Sequence, residues 1–171
     1  MKDVFMEQLI RRVPTGITAL AKMGIIAAAI ILAFLVTTIR VLDLFVPILW
    51  CVIVFGAYIL WKRTTVEYEY ALTNNELDID TIHGKSARKR FFSGNVRDFE
   101  AFRPVGSSDF AHTFNAANVR ANCSSRKNND NLYEFVATYQ GKRMHIIFEP
   151  REDILNAITP QIKRINIKIG R

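Results

Sequence analysis

Two long uncharged, apolar runs constrain what this chain can fold into. Neither Met23 to Ile39 nor Leu44 to Trp61 contains Asp, Glu, Lys, Arg or His. Extended back to Thr15, the first run is a helix of about 25 residues with only Lys22 to accommodate. The second, at ~1.5 Å per residue, reaches ~27 Å, close to the ~30 Å hydrocarbon thickness of a bilayer. Neither run has the polar face that a helix on a small soluble core keeps toward water. The sequence therefore predicts transmembrane helices over 15–40 and 44–63, joined by Arg40, Val41, Leu42 and Asp43.

Charge sets the expected orientation. Lys2, Arg11, Arg12 and Lys22 precede the first span, Lys62 and Arg63 follow the second, and Arg40 alone lies between them. Lys and Arg mark the cytoplasmic side, so both termini are expected inside, at the inner membrane. Lys22, near a helix end, reaches the interface by snorkelling. The apolar run is longer than a signal-peptide core, and Thr37-Thr38-Ile39-Arg40 offers no small-residue cleavage site, so the run is read as retained. Pro47 fits the first turn of the second span. Gly24 and Ala28 form a small-xxx-small pair that permits close helix approach.

Residues 1–14 read as an amphipathic interfacial helix. At 100° per residue Phe5, Met6, Leu9, Ile10 and Val13 share an arc opposite Asp3, Glu7, Gln8 and Arg11, and Pro14 and Gly16 separate this segment from the span. A frayed terminus or a helix docked on the soluble part is the competing reading.

After Arg63 the period changes to two. Val66, Tyr68, Tyr70 and Leu72 alternate with Thr65, Glu67, Glu69 and Ala71, Asn74-Asn75 turns the chain, and Leu77, Ile79 and Ile82 continue in a second strand. Further strands are expected over 88–92, 98–105, 119–124, 132–139 and 143–149, with Gln140-Gly141-Lys142 between the last two. Pro150 then opens a helix with Glu152 and Asp153 in its first turn and an apolar stripe of Ile154, Leu155, Ile158, Ile162 and Ile165, kinked at Pro160. Phe110 and Phe114, four apart between strands, suit a short helix packed on the sheet; an exposed aromatic pair is the alternative. Seven antiparallel strands and one closing helix over 64–171 give the element order of a pleckstrin-homology (PH) barrel, a mainly-β α+β fold, with a generic α+β roll as the alternative.

The run Tyr68-Glu69-Tyr70-Ala71-Leu72-Thr73-Asn74-Asn75-Glu76-Leu77-Asp78-Ile79-Asp80, a basic hairpin, and Val96-Arg97-Asp98-Phe99 resemble the opening of bacterial PH-like domains. With its hairpin and the strand end Ile147-Phe148-Glu149-Pro150, the chain is similar to a family of small two-span bacterial membrane proteins. The resemblance implies a cytosolic PH-like domain behind a membrane hairpin and carries no catalytic residue with it.

The residues themselves offer little enzymatic chemistry. Cys51 lies in a span and Cys123 in a strand, and His83, His112 and His145 are scattered without ligand spacing, so neither a disulfide framework nor a metal site is expected. Phosphate-binding and nucleophile-elbow motifs are absent, and no cofactor is implied. The net charge of +7 does not point to nucleic acid, because the +5 carried by residues 62–171 is shared with thirteen acids and no aromatic-basic interleaving appears.

Lys85, Arg88, Lys89 and Arg90 are the sharpest feature, with Arg88 and Arg90 on one strand face and Lys85 in the preceding turn. They resemble the Lys-x(n)-Arg-x-Arg arrangement of phosphoinositide-binding PH domains, shifted to a later hairpin. That implies an anion site for lipid headgroups, against the alternatives of an edge strand guarded by positive charge or a general attraction of these cations to an anionic leaflet. The expectation is a non-enzymatic interaction module at the inner membrane that binds anionic lipid or a protein partner. The other reading is a small subunit of a transport or secretion complex, or a homo-oligomer, assembled through the hairpin.

Overall fold

A computed structural model describes residues 5–85, 87–127 and 131–163, which divide into two compact units. The first comprises the N-terminal segment through Val13, Glu67–Ile82 and the chain from Arg88 onward; the second comprises Pro14–Val66 with the turn His83–Ala87. Of the predicted features, Lys2, Asp3 and Ile165 lie outside the described residues.

The second unit holds two helices, α1 (Gly16–Thr38) and α2 (Val46–Arg63), joined by a 3-10 turn over Arg40–Phe45. Both are long and apolar enough to cross a membrane, and neither has a buried residue. Pro47 stands in the first turn of α2, where its missing N–H costs no intrahelical bond. Thr37 and Thr38 turn their hydroxyls back to the Phe34 and Leu35 carbonyls at 2.7 and 2.8 Å, so the last turn of α1 carries no unpaired hydroxyl.

In the first unit, β1 (Phe5–Arg11), β2 (Val66–Thr73), β3 (Glu76–His83) and β4 (Ala87–Asn95) form one sheet in sequence order. The second sheet has the order β5 (Ala101–Pro104), β7 (Tyr133–Tyr139), β8 (Lys142–Phe148), β6 (Val119–Asn122). The amphipathic helix predicted over residues 1–14 is corrected here: residues 5–11 are a strand, antiparallel to β2, with Leu9 opposite Glu69 and Arg11 opposite Glu67. Its inward face is Met6, Gln8 and Ile10, while Phe5 and Leu9 are exposed. A glutamine where the alternation needs an apolar residue disguises the period of two.

Gln8 is buried for a reason. Its side-chain amide donates to the Glu149 carbonyl at 2.9 Å and accepts the Arg151 N–H at 2.8 Å, which ties β1 to the chain leaving β8. Val13 N–H donates to the Ser125 carbonyl at 2.9 Å in the same region. The two Gln8 bonds offset the cost of burying the amide.

The expected PH-like α+β architecture is present. The seven anticipated strands are β2 to β8, and β1 adds an eighth among the described residues. One pairing departs from the antiparallel expectation: β6 runs parallel to β8, with Val119 opposite Met144 and Asn122 opposite Ile147. The β7–β8 hairpin turns at Gln140 and Gly141, both at positive φ (50° and 72°), the combination whose twist matches the flanking strands.

The core lies between the sheets. Phe99 stacks on Phe135 at 4.2 Å between ring centroids, Phe92 meets Phe135 edge-on, and Tyr70 meets Phe148 at 5.8 Å. Val96 and Phe99, bracketing a 3-10 turn, are both buried, so the Val96-x-x-Phe99 motif is a core plug. The closing helix α4 (Glu152–Ile158) buries Ile154 and Ile158, with Ile162 buried beyond it. Pro160 does more than kink it: regular helix stops at Ile158 and continues only as a 3-10 turn, Thr159–Gln161.

Candidate functional site

Sheet alternation places Glu7, Leu9 and Arg11 of β1 beside Glu67 and Glu69 of β2 on the sheet's outer face. Into this row fall two of the basic residues singled out by sequence. Arg88 pairs with Glu69 at 2.5 Å, and Arg90 spans Asp78 at 2.7 Å and Asp80 at 2.5 Å. Arg11 closes the row by pairing with Glu67 at 2.8 Å. The carboxylates are covered while the guanidinium groups remain near solvent: Glu69 is 7% exposed at its side chain against 57% for Arg88. Arg88 and Arg90 thus share a neighbourhood but are largely balanced internally. Lys89 and Lys85 are exposed, Lys85 in the turn at a positive φ of 63°, and among the described residues no carboxylate pairs with either.

Burial raises the Glu69 carboxyl above its ordinary value of 4.5; Arg88 opposes this, and the nearby Glu7 and Asp80 carboxylates add to it. Glu69 is therefore the least comfortable charge in the row.

The span-flanking cations divide similarly. Arg11 is ion-paired in β1, and Arg12 donates to the Tyr68 hydroxyl at 3.1 Å with its guanidinium over the same ring at 5.9 Å. Within the hairpin, the Lys22 ammonium sits 5.0 Å from the Trp61 ring centroid, a contact between the first turns of α1 and the last of α2 that sequence reading missed. Lys62 and Arg63 close α2, favourably placed at the negative end of its dipole.

A third polar group is buried on the outer face of the second sheet. Arg103 of β5 pairs with Glu134 of β7 at 2.6 Å, and His145 of β8 meets the other Glu134 oxygen at 2.7 Å. Helix α3 (Ala111–Asn115) covers them: Arg103 lies 4.0 Å from the Phe114 ring centroid and also bonds the Asp109 carbonyl, and Phe114 meets His145 edge-on. Phe114 also packs on Ala101 and Val136, with Phe110 beside it, as the short-helix reading of that aromatic pair anticipated. Burial alone would raise Glu134, but the hydrogen bonds from His145 and Arg103 outweigh it and hold the carboxyl below its usual range. A carboxylate so held is a weak base, so the cluster reads as a tie between strands and α3. Cys123 is buried, which pushes its thiol up to about 12 and leaves almost no thiolate near neutrality.

The geometry thus defines a class: a PH-like α+β domain attached to a hairpin of two apolar helices, a scaffold suited to interaction. Residues 2–168 match the family described as Bacterial PH-like domain (DUF6106), and the chain belongs to that family. No curated protein and no solved structure matches the chain. PH-like domains serve generally as interaction modules and are generally non-enzymatic.

Proposed function

We infer that the protein is a membrane-anchored PH-like interaction module, with both termini cytoplasmic at the inner membrane, that binds anionic lipid headgroups. The observation that carries this reading is the uncovered hairpin: α1 and α2 expose Ile17, Leu20, Ile30, Phe34, Val52 and Phe55 with no buried residue on either helix. A soluble monomer does not leave so much contiguous apolar surface in water. Cations outside the ion pairs supply the attraction to an anionic surface, Lys85 and Lys89 at the β3–β4 hairpin and Lys62 and Arg63 at the end of α2, each worth ~1 kcal/mol near such a leaflet.

Hydrogen exchange of the full chain in nanodiscs tests this. Peptides covering 85–90 should be protected in discs containing phosphatidylglycerol and not in pure phosphatidylcholine. Equal exchange in the two refutes lipid recognition by the hairpin and moves the interaction to a protein partner.

A second reading, a subunit assembled through its hairpin, has one observation in its favour. Gly24, Ala28 and Gly56 line an open groove of about 540 Å³ between α1 and α2. Nothing lies within 4 Å of the Cβ that Gly24 or Gly56 lacks, so the small residues are not consumed by packing within the hairpin. Cross-linking of a cysteine at Gly24 into a discrete complex in membranes would support assembly through this groove.

A further inference from the structure

Along α2, Phe55, Tyr58, Ile59, Lys62 and Arg63 fall at i, i+3, i+4, i+7 and i+8, which puts them on one face. That face changes character over about 12 Å of helix axis, from apolar to amphipathic to doubly cationic. It is also one wall of a cleft of about 590 Å³, whose other wall is the turn at His83, Gly84 and Ala87. The turn is held there by design of the backbone: Gly84 donates its N–H to the Thr65 carbonyl at 3.0 Å and has a φ of +59°. An added Cβ would lie 3.0 Å from the Lys62 carbonyl oxygen, so only glycine lets the turn come this close.

We propose that this cleft binds one anionic phospholipid of the surrounding bilayer, its phosphate held by Lys62 and Arg63 and an acyl chain lying along Phe55 and Ile59. Among the described residues no carboxylate neutralises Lys62 or Arg63, in contrast to Arg11, Arg88 and Arg90. A water-soluble anion would use the cations and leave the apolar half of the same face empty, whereas a phospholipid matches both halves in order along the helix. Tyr58, between them, suits the level of the glycerol backbone, where amphipathic rings reside. The proposal rests on the reading that α1 and α2 span the bilayer.

Native mass spectrometry of the full chain released from nanodiscs of equal phosphatidylglycerol and phosphatidylcholine provides the test. One phosphatidylglycerol should stay bound per chain, enriched over phosphatidylcholine. Lys62→Gln with Arg63→Gln should reduce the enrichment about fivefold for each cation removed. Ala87→Trp, which fills the cleft from an exposed position without changing charge, should lower retention, and Lys22→Gln, a cation of the same hairpin outside the cleft, should leave it unchanged. Added glycerol phosphate should not displace the lipid. No enrichment in the wild type, an equal loss with Lys22→Gln, full retention in Ala87→Trp, or displacement by glycerol phosphate would each overturn the proposal. Failure of the chain to insert into discs at all would refute the spanning reading itself; insertion without enrichment refutes the lipid site alone.

Discussion

Replacing Tyr70 by phenylalanine removes one oxygen from the interior and leaves the ring contacts in place. That oxygen joins the two sheets: it donates to the Cys123 carbonyl at 2.7 Å and accepts the Glu149 N–H at 3.2 Å. Tyr70 is fully buried, and burial keeps its hydroxyl protonated far above the usual tyrosine range. The variant leaves the Cys123 carbonyl without its short bond and weakens the environment of the Glu149 amide. A buried polar group deprived of its partner costs ~1–3 kcal/mol; with one strong and one long bond affected, the expected loss is about 2 kcal/mol. For a domain near 100 residues that is a fall in Tm of about 10 °C. The fold supplies its own reporter, because Cys123 is buried with a poorly ionised thiol and becomes reactive when the sheets separate. In a Cys51→Ala background Cys123 is the chain's only thiol, so a maleimide dye that fluoresces on coupling follows unfolding in detergent while the helices stay intact. A shift under about 2 °C would refute the claim that this hydroxyl couples the sheets.

Other perturbations test the charged clusters and the core. Glu134→Gln should destabilise the domain by about 3–5 kcal/mol at neutral pH, since it leaves Arg103 and His145 buried without their anion. Because the folded Glu134 carboxyl lies below its ordinary 4.5, its stabilisation is present above that value and lost as pH falls through the folded value; acid denaturation curves should lose that component in the variant. Glu69 has the opposite sign: raised above 4.5 by burial first and by Glu7 among its neighbours, it favours the folded state below 4.5 and loses that contribution as pH rises through its folded value. Glu7→Gln should therefore raise stability at neutral pH by about 0.5 kcal/mol, read as a higher Tm, and a lower Tm would contradict this account of the row. Gly94→Ala puts a Cβ 2.9 Å from the Phe92 ring and should cost ~1–3 kcal/mol in the same assay, the penalty of overfilling a packed core.

What the sequence disclosed follows from the range of the interactions involved. The helices α1 and α2, the β2–β3–β4 meander and the Gln140-Gly141 hairpin are written in local periods and turn residues, and all are where the pattern puts them. The Phe110/Phe114 helix was legible because its spacing is also local. β1 was hidden because its key inward residue is Gln8, whose partners, Glu149 and Arg151, lie more than 140 residues away. The parallel pairing of β6 with β8 is likewise a property of the crossover and not of either strand's pattern. The basic hairpin is legible in sequence, but the balance of Arg88 and Arg90 by Glu69, Asp78 and Asp80 depends on which face of which neighbouring strand each carboxylate occupies. In sequence the cationic end of α2 reads as a membrane flank; its stripe from Phe55 to Arg63 is a local pattern, whereas the opposing wall at Gly84 exists only in the fold.

The central claim, a hairpin that crosses the membrane and leaves the PH-like domain inside, is tested most directly by cysteine accessibility in intact cells. In a Cys51→Ala background with Cys123 buried, single cysteines at Asp43, in the turn between the helices, and at Lys127, in the domain, report the two sides. A membrane-impermeant maleimide should label Asp43→Cys in cells with a permeable outer envelope and label Lys127→Cys only after the inner membrane is opened. Labelling of Lys127→Cys in sealed cells, or of both positions only after lysis, would contradict the account.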